Sequence, residues 1–286
     1  MLFYILYSSL KPMHLFKKLS LAVVAVTTSA ALGLTALHQP QATAAPDKTV
    51  TIYLTRHGET TGNVMGRVQG WSDFPLTKNG IMVANDLGYG LKGIKFDHAY
   101  SGTLTRQERT ARAVLDKSGN GNVKLTTTNK LREGGYGSFE GDSIAADNAK
   151  IAGVYGYQSG DEFQKQTGKD YWNKLQDAYY KLDQSNEPNT KLAQADRAES
   201  AHQVQKRMQS EMATIVKNSK NDDKVLVVSS GMSINEYLST LPGNKYQGAP
   251  LKNASVTKIV YHNGHYQIKG AIGSLHYVNK GAQSHK

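Results

Sequence analysis

The chain has 286 residues, no cysteine and a formal net charge of +11 at pH 7. The lack of cysteine excludes disulfides, thiolate chemistry and a lipid-modified cysteine anchor, while the length suffices for one large domain or two small ones with a real core. A basic balance suits nucleic acid, an anionic envelope polymer or phosphorylated small molecules. No run of five or more lysines and arginines and no nucleic-acid-binding motif accompanies it, so no nucleic acid is expected as a partner.

Residues 1–45 read as a signal peptide. Met13-His14-Leu15-Phe16-Lys17-Lys18 is a short basic start, Leu19 to Leu37 is apolar and rich in alanine, and Ala42-Thr43-Ala44 fits a small-residue cleavage site, with cleavage near Ala44 or Ala45. The alternative is an uncleaved membrane anchor, because the apolar run is nearly long enough to cross a bilayer. Met1 to Pro12 precedes the basic start, which also allows translation to begin at Met13. Either reading places the protein outside the cytoplasm, secreted or held at the envelope, and contact with a membrane is expected only through this segment. Its removal takes Lys11, Lys17 and Lys18 and no acidic residue, leaving a charge of +8.

The remaining 46–286 read as an α/β domain with a mainly parallel central sheet. Val50 to Leu54 is β-branched and aromatic, a strand. Ile81 to Leu91 has helical spacing through Ile81, Ala84, Leu87 and Leu91. Phe96 to Ser101 reads as a strand, Leu104 to Asp116 as a helix and Val123 to Thr126 as a short strand. Asp142 to Arg197 is polar and dotted with aromatics, a helical insertion. Tyr155, Tyr157, Tyr171, Trp172, Tyr179 and Tyr180 are expected to pack it on the core, the alternative being a row that touches substrate. Ala198 to Ser219 is a long amphipathic helix, and Lys224 to Ser229 a continuous apolar strand of the kind buried on both faces. Ser255 to His262 and His265 to Gly270 flank Asn263-Gly264, the strongest short-range hairpin signal.

Chemistry concentrates at the end of the first strand. In Leu54-Thr55-Arg56-His57-Gly58-Glu59-Thr60 an arginine and a histidine stand side by side, followed by a glycine that lets the chain turn. A histidine fixed there can serve as a nucleophile, and the arginine offers a planar, permanently charged fork to phosphate oxygens. Arg106 is a second candidate phosphate clamp, in Ser101-Gly102-Thr103-Leu104-Thr105-Arg106, where a strand gives way to a helix N-terminus. Glu133, in Leu131-Arg132-Glu133-Gly134-Gly135-Tyr136-Gly137, is the candidate general acid for a leaving alcohol.

With Asn63 and Gly66-Arg67-Val68-Gln69-Gly70-Trp71-Ser72-Asp73-Phe74-Pro75-Leu76-Thr77, these segments in this order resemble the histidine phosphatase superfamily, the phosphoglycerate-mutase-like proteins. The resemblance covers roughly Val50 to Gly141 and Lys224 to Ile272. It implies a three-layer α/β/α sandwich with the site at the carboxyl ends of the parallel strands, a small phosphorylated substrate, and no metal or cofactor. It further implies that His57 takes the phosphoryl group, that Arg56, Arg106 and Asn63 position its oxygens, and that Glu133 protonates the leaving group. A glycolytic mutase is disfavoured: such enzymes work in the cytoplasm and typically show Glu-Arg-His-Tyr-Gly where this chain has Glu133-Gly134-Gly135-Tyr136-Gly137.

One segment departs from the family. A second histidine is usual in a Ser-His-Gly context after the late strand, and here the strand runs into Ser229-Ser230-Gly231. Ser230 and Gly231 therefore stand as candidate substrate-binding residues. A hydroxyl donates a neutral hydrogen bond of roughly 0.5–1.5 kcal/mol in place of a charged one of about 1.5–3. The expected loss is about 1–2 kcal/mol, on the order of ten- to thirtyfold in rate. The implied protein is a slowed phosphatase or an anion-binding relative without turnover. His98, His202, His262, His265 and His276 are the histidines that remain to take over, and the loop Gly273-Ser274-Leu275-His276 is the expected route back to the site.

Overall fold

The computed structural model describes residues 47–185, 191–243 and 245–285. The segment read as a signal peptide lies outside them. Among the described residues no helix is long and apolar enough to cross a membrane.

The sheet is built around β1 (Thr49–Arg56), which pairs in parallel with β4 (Asp223–Ser229) and antiparallel with β5 (Val256–His262). Outside β4 lie β2 (His98–Ser101) and then β3 (Leu125–Thr127), both parallel; outside β5 lies antiparallel β6 (His265–Ser274). The order is β3-β2-β4-β1-β5-β6. The parallel half matches the expected architecture, and the Asn263-Gly264 turn, with both residues at positive φ, makes the antiparallel half a hairpin.

Alternation along β1 and β4 supplies two apolar faces. Val50, Ile52, Leu54, Val225 and Val227 pack beneath α7 (Ala201–Asn218), whose Val204, Met208, Met212 and Ile215 are fully buried. Tyr53, Leu226 and Val228 pack on the other side against α2 (Lys78–Gly90) and α3 (Thr105–Ser118) through Leu87, Ala111, Val114 and Leu115. This double coverage explains the continuous apolar character of β4 and yields the α/β/α sandwich. Helix starts follow capping rather than the apolar stripe: α2 begins three residues before Ile81 because the Thr77 side chain accepts from the N–H of Gly80, and α7 begins behind a Ser200–Gln203 capping box.

Between residues 142 and 197 lie α4 (Ile144–Gly153), α5 (Gly160–Thr167) and α6 (Tyr171–Ser185). They share a separate core of Ile151, Phe163, Ala178 and Tyr179 with Tyr136 and Phe139. Three further helices, α1 (Thr61–Val64), α8 (Gly231–Ser239) and α9 (His276–Ser284), carry no signal in the sequence reading. In α8 every residue from Met232 to Leu238 is buried, so no polar face marks its period. The α2 and α9 helices meet through glycines: a Cβ on Gly281 would stand 1.7 Å from the carbonyl oxygen of Asp86, and one on Gly90 1.8 Å from that of Tyr277.

Candidate active site

The carboxyl ends of β1 and β4 lie side by side, Arg56 opposite Ser229, and the N–H of His57 donates to the carbonyl of Ser229 at 3.0 Å. Beyond β1 the chain runs tightly past the start of α2. A Cβ on Gly58 would stand 2.5 Å from the carbonyl oxygen of Gly80, so close approach is what requires glycine here.

A cavity of about 280 Å³ opens at these strand ends, and Arg56, His57, Asn63, Glu133 and Gly231 line it. His57 is buried, and its Nδ1 donates to the carbonyl oxygen of Gly58 at 2.7 Å. A carbonyl only accepts, so the proton sits on Nδ1 and Nε2 keeps its lone pair. Burial above all, then the charges of Arg106 and Arg56, hold the ring well below its ordinary pKa, against the bond to Gly58. His57 is therefore a neutral base with one nitrogen free.

The Arg56 guanidinium is held by Nη1, which donates to the carbonyl of Leu251. Its buried Nε has no partner, and a Cβ on Gly231 would lie 3.2 Å from it. Asn63 accepts at Oδ1 from the N–H of Thr60 at 3.2 Å and from the amide of Asn253 at 3.1 Å, which leaves its own NH₂ as the donor. Asn253 also donates to the carbonyl of His57. Nothing in the sequence marked it.

Glu133 sits at the N-terminus of α8. Its Oε1 accepts from the N–H groups of Ser233 at 2.7 Å and Gly134 at 3.1 Å, and its Oε2 from that of Met232 at 3.0 Å. The backbone under it is fixed by Arg207 on α7, which donates to the carbonyls of Lys130, Arg132 and Glu133, each at 2.8 Å, while pairing with both oxygens of Glu199. Trp71 Nε1 adds a bond to the Glu133 carbonyl. Arg207 escaped the sequence reading because that helix was judged by its apolar stripe, of which Arg207 is not a member.

Two candidates stand outside the cavity wall. Arg106 is wholly buried and spends its guanidinium on the carbonyls of Ser72, Gln69 and Gly70, with Asp73 at 3.6 Å. It braces the 69–73 loop and acts on His57 by its charge; its Nε has no partner. Ser230 is fully buried, and its Oγ accepts from Gln107 Nε2 at 2.8 Å. The same amide donates to the carbonyl of Leu131, which Ser229 Oγ also reaches. Gln107 thus holds the hydroxyl oxygen beneath the site by one lone pair, and the Ser230 O–H remains a donor. Among the described residues His57 is the histidine lining the cavity; His276 is exposed at the start of α9, and His98 pairs with Asp223.

A second carboxyl lies behind the first. Glu236 on α8 is fully buried with neither oxygen hydrogen-bonded, and burial above all, with the charge of Glu133, pushes it well above the ordinary carboxyl pKa against the pull of Arg207.

A neutral histidine, an arginine fork and an amide donor converge on one cavity at the strand ends of an α/β/α sandwich, an arrangement chemically suited to an anion. The family model of the histidine phosphatase superfamily (branch 1) matches residues 52–188 and 159–271, and the chain belongs to that superfamily. Among curated relatives, the 2,3-bisphosphoglycerate-dependent phosphoglycerate mutase of Rhizobium etli (strain CIAT 652) is 39% identical over 93 residues, 32% of this chain and 44% of that one. The chain spans less than half the length of the curated relatives it matches. A phosphoglycerate mutase from Bacillus anthracis str. Sterne superposes with a TM-score of 0.73 at 34% identity, over 82% of this chain and 98% of that one. The mycobacterial glucosyl-3-phosphoglycerate phosphatase complexed with VO3 shares the fold, with a TM-score of 0.58 at 20% identity over 78% of this chain and 99% of that one. Mutases and phosphatases thus stand together among the relatives, and membership supports phosphoryl transfer.

Proposed function

We propose that this chain is an exported phosphatase that hydrolyses phosphate monoesters through a phosphohistidine at His57. The observation that carries the reading is the bond from Nδ1 to the carbonyl of Gly58, which leaves Nε2 unprotonated at the cavity. The Nε2 lone pair attacks phosphorus, and the P–O bond breaks with its electron pair passing to the leaving oxygen. Glu133, lining the same cavity, is the group that passes a proton to that oxygen. A water then gives its proton to the Glu133 carboxylate as its oxygen attacks phosphorus, and the P–N pair returns to Nε2. Arg56 and the Asn63 amide hold the transferring oxygens, and Arg106 contributes charge from behind.

Hydrolysis is favoured over mutase chemistry by the residues after Glu133. A mutase must retain a doubly anionic sugar acid while the phosphoryl group moves, and Gly134 and Gly135 bring no side chain to do so. There is no room for one: a Cβ on Gly134 would stand 2.3 Å from Gln176 Oε1, and one on Gly135 3.0 Å from the Trp71 ring. Ser230, whose hydroxyl accepts from Gln107 and lies outside the cavity lining, brings no charged donor, so turnover is slowed by roughly the ten- to thirtyfold expected when a neutral group stands in for a charged one.

That missing charge favours a second reading, an anion-binding protein without turnover. Hydrolysis of 4-nitrophenyl phosphate by the full chain separates the two. The phosphatase reading expects turnover that falls on the order of a thousandfold or more in His57→Ala. Phosphate binding with no turnover in the parent would support the binding protein instead. Export rests on residues 1–45 and is tested by the N-terminal sequence of the protein recovered outside the cytoplasm.

A further inference from the structure

The cavity has two kinds of wall. At its floor stand His57, Arg56, Asn63 and Glu133; its outer part is apolar and is built largely by the helical insert, with Ile144, Tyr171, Trp172, Leu175 and Tyr179, faced by Met232 of α8. This wall is rigid. Trp172 Nε1 donates to the carbonyl of Gly248 at 2.8 Å, Tyr171 packs edge-on to Trp172 at 4.9 Å, and Tyr179 packs at a tilt against Tyr136 at 4.8 Å. At the mouth, Ile144 is 45% exposed, a large apolar side chain left in water beside a catalytic cavity. Among the described residues no lysine lines the cavity; its further polar members include the neutral Asn148 and Asn235, and the arginine beyond Arg56 is Arg67, an exposed side chain whose charge water already solvates.

A phosphorylated hydroxyacid would bring a carboxylate into this apolar wall, where it would lose water and meet no buried cation. An apolar leaving group would instead remove Ile144, Leu175 and the aromatic rings from water. Building on the phosphatase reading, we propose that the substrates are phosphate monoesters of uncharged, aromatic or branched apolar alcohols, and that Ile144, Leu175 and Trp172 are the residues that select them. The insert is thus both a packed layer and the substrate-facing wall, joining the two roles left open for its aromatics.

The test compares benzyl phosphate with 3-phosphoglycerate on the full chain, since both leave as alkanols and differ chiefly in apolar surface and charge. The expected result is a kcat/KM higher by about tenfold or more for benzyl phosphate. Ile144→Asp, at an exposed position that the fold does not need, and Leu175→Asn should each narrow that ratio several-fold, and Ile144→Lys should shift it toward the carboxylate substrate. Equal or better use of 3-phosphoglycerate, or a ratio unmoved in all three variants, overturns the proposal. Should no ester turn over, the phosphatase reading fails, and calorimetry with benzylphosphonate and inorganic phosphate still decides the wall. Tighter binding of benzylphosphonate, weakened in Ile144→Asp, supports it; equal binding of the two overturns it.

Discussion

The floor of the cavity and its outer wall are held by different forces. The floor is held by a lattice of hydrogen bonds that leaves open a few atoms, the Arg56 Nε and His57 Nε2 among them. The Glu140 carboxylate alone accepts from the N–H groups of Gly70, Trp71, Ser72 and Tyr136 and from the Ser72 hydroxyl, Arg106 closes the same loop from below, and Arg207 fixes the backbone of Glu133. The outer wall is held mainly by ring packing, Phe163 against Tyr155, Tyr157 and Tyr171, and by few side-chain bonds. Directional bonds fix where a phosphoryl group can sit, whereas apolar packing fixes only the size and polarity of what is attached to it. The same chemistry can therefore be kept on the floor while the wall sets the substrate.

Breaking the floor should cost most. Arg207→Leu leaves the largely buried Glu199 without its ion pair and takes one donor each from the carbonyls of Lys130, Arg132 and Glu133, and is expected to lower unfolding free energy by about 3 kcal/mol in urea denaturation. It should also reduce kcat more than it raises KM, because Glu133 loses its backbone anchor; an unchanged kcat in a folded variant would remove Arg207 from the positioning role.

Restoring the family's second histidine sharpens the comparison next. Gln107 lies hydrogen-bonded against Ser230, so a ring introduced at 230 meets that amide. Ser230→His combined with Gln107→Ala is expected to raise kcat by roughly ten- to thirtyfold over the parent, with Ser230→His alone gaining less. A single variant that gains as much as the double would show that Gln107 does not occupy the histidine's place.

The third effect is on stability and follows from Glu236. Its pKa is raised in the folded state, so above the ordinary value near 4.5 the unfolded chain releases a proton that the folded chain keeps. Stability from this group is thus full at low pH and lost as pH rises. Glu236→Gln should stabilise the protein at pH 8 and leave it nearly unchanged at pH 4, read as the difference in urea midpoint; a pH-independent shift would mean that the carboxyl is not held protonated. His57, with a lowered pKa, contributes the opposite slope below about 6.5, where the unfolded ring binds a proton that the buried ring refuses.

Much of this was legible in the sequence where one physical signal dominates. The apolar run of β4, the Asn263-Gly264 turn and the juxtaposition of Arg56 and His57 at a strand end each mark one outcome. What escaped lacks such a signal. The α8 helix is buried on all sides, so amphipathic spacing has nothing to register, and α9 docks through glycines whose value lies in an absent side chain. Arg106 carries the residue type and chain position expected of a site residue, and Ser230 the position alone. Their side chains nevertheless end on the carbonyls of the 69–72 loop and on Gln107, partners 34 to 123 positions away that no local pattern connects. The insert illustrates the same limit: composition marked it as helical and aromatic, but which rings face the cavity depends on how three helices pack.

The central claim is that His57 Nε2 takes the phosphoryl group. The most direct measurement is rapid quenching of the full chain with a phosphate monoester, followed by peptide mass spectrometry. A phosphoryl adduct on the peptide bearing His57, stable in base, lost in acid and absent from His57→Ala, is the predicted result. Turnover that proceeds with no such adduct, or that survives in His57→Ala, would contradict it.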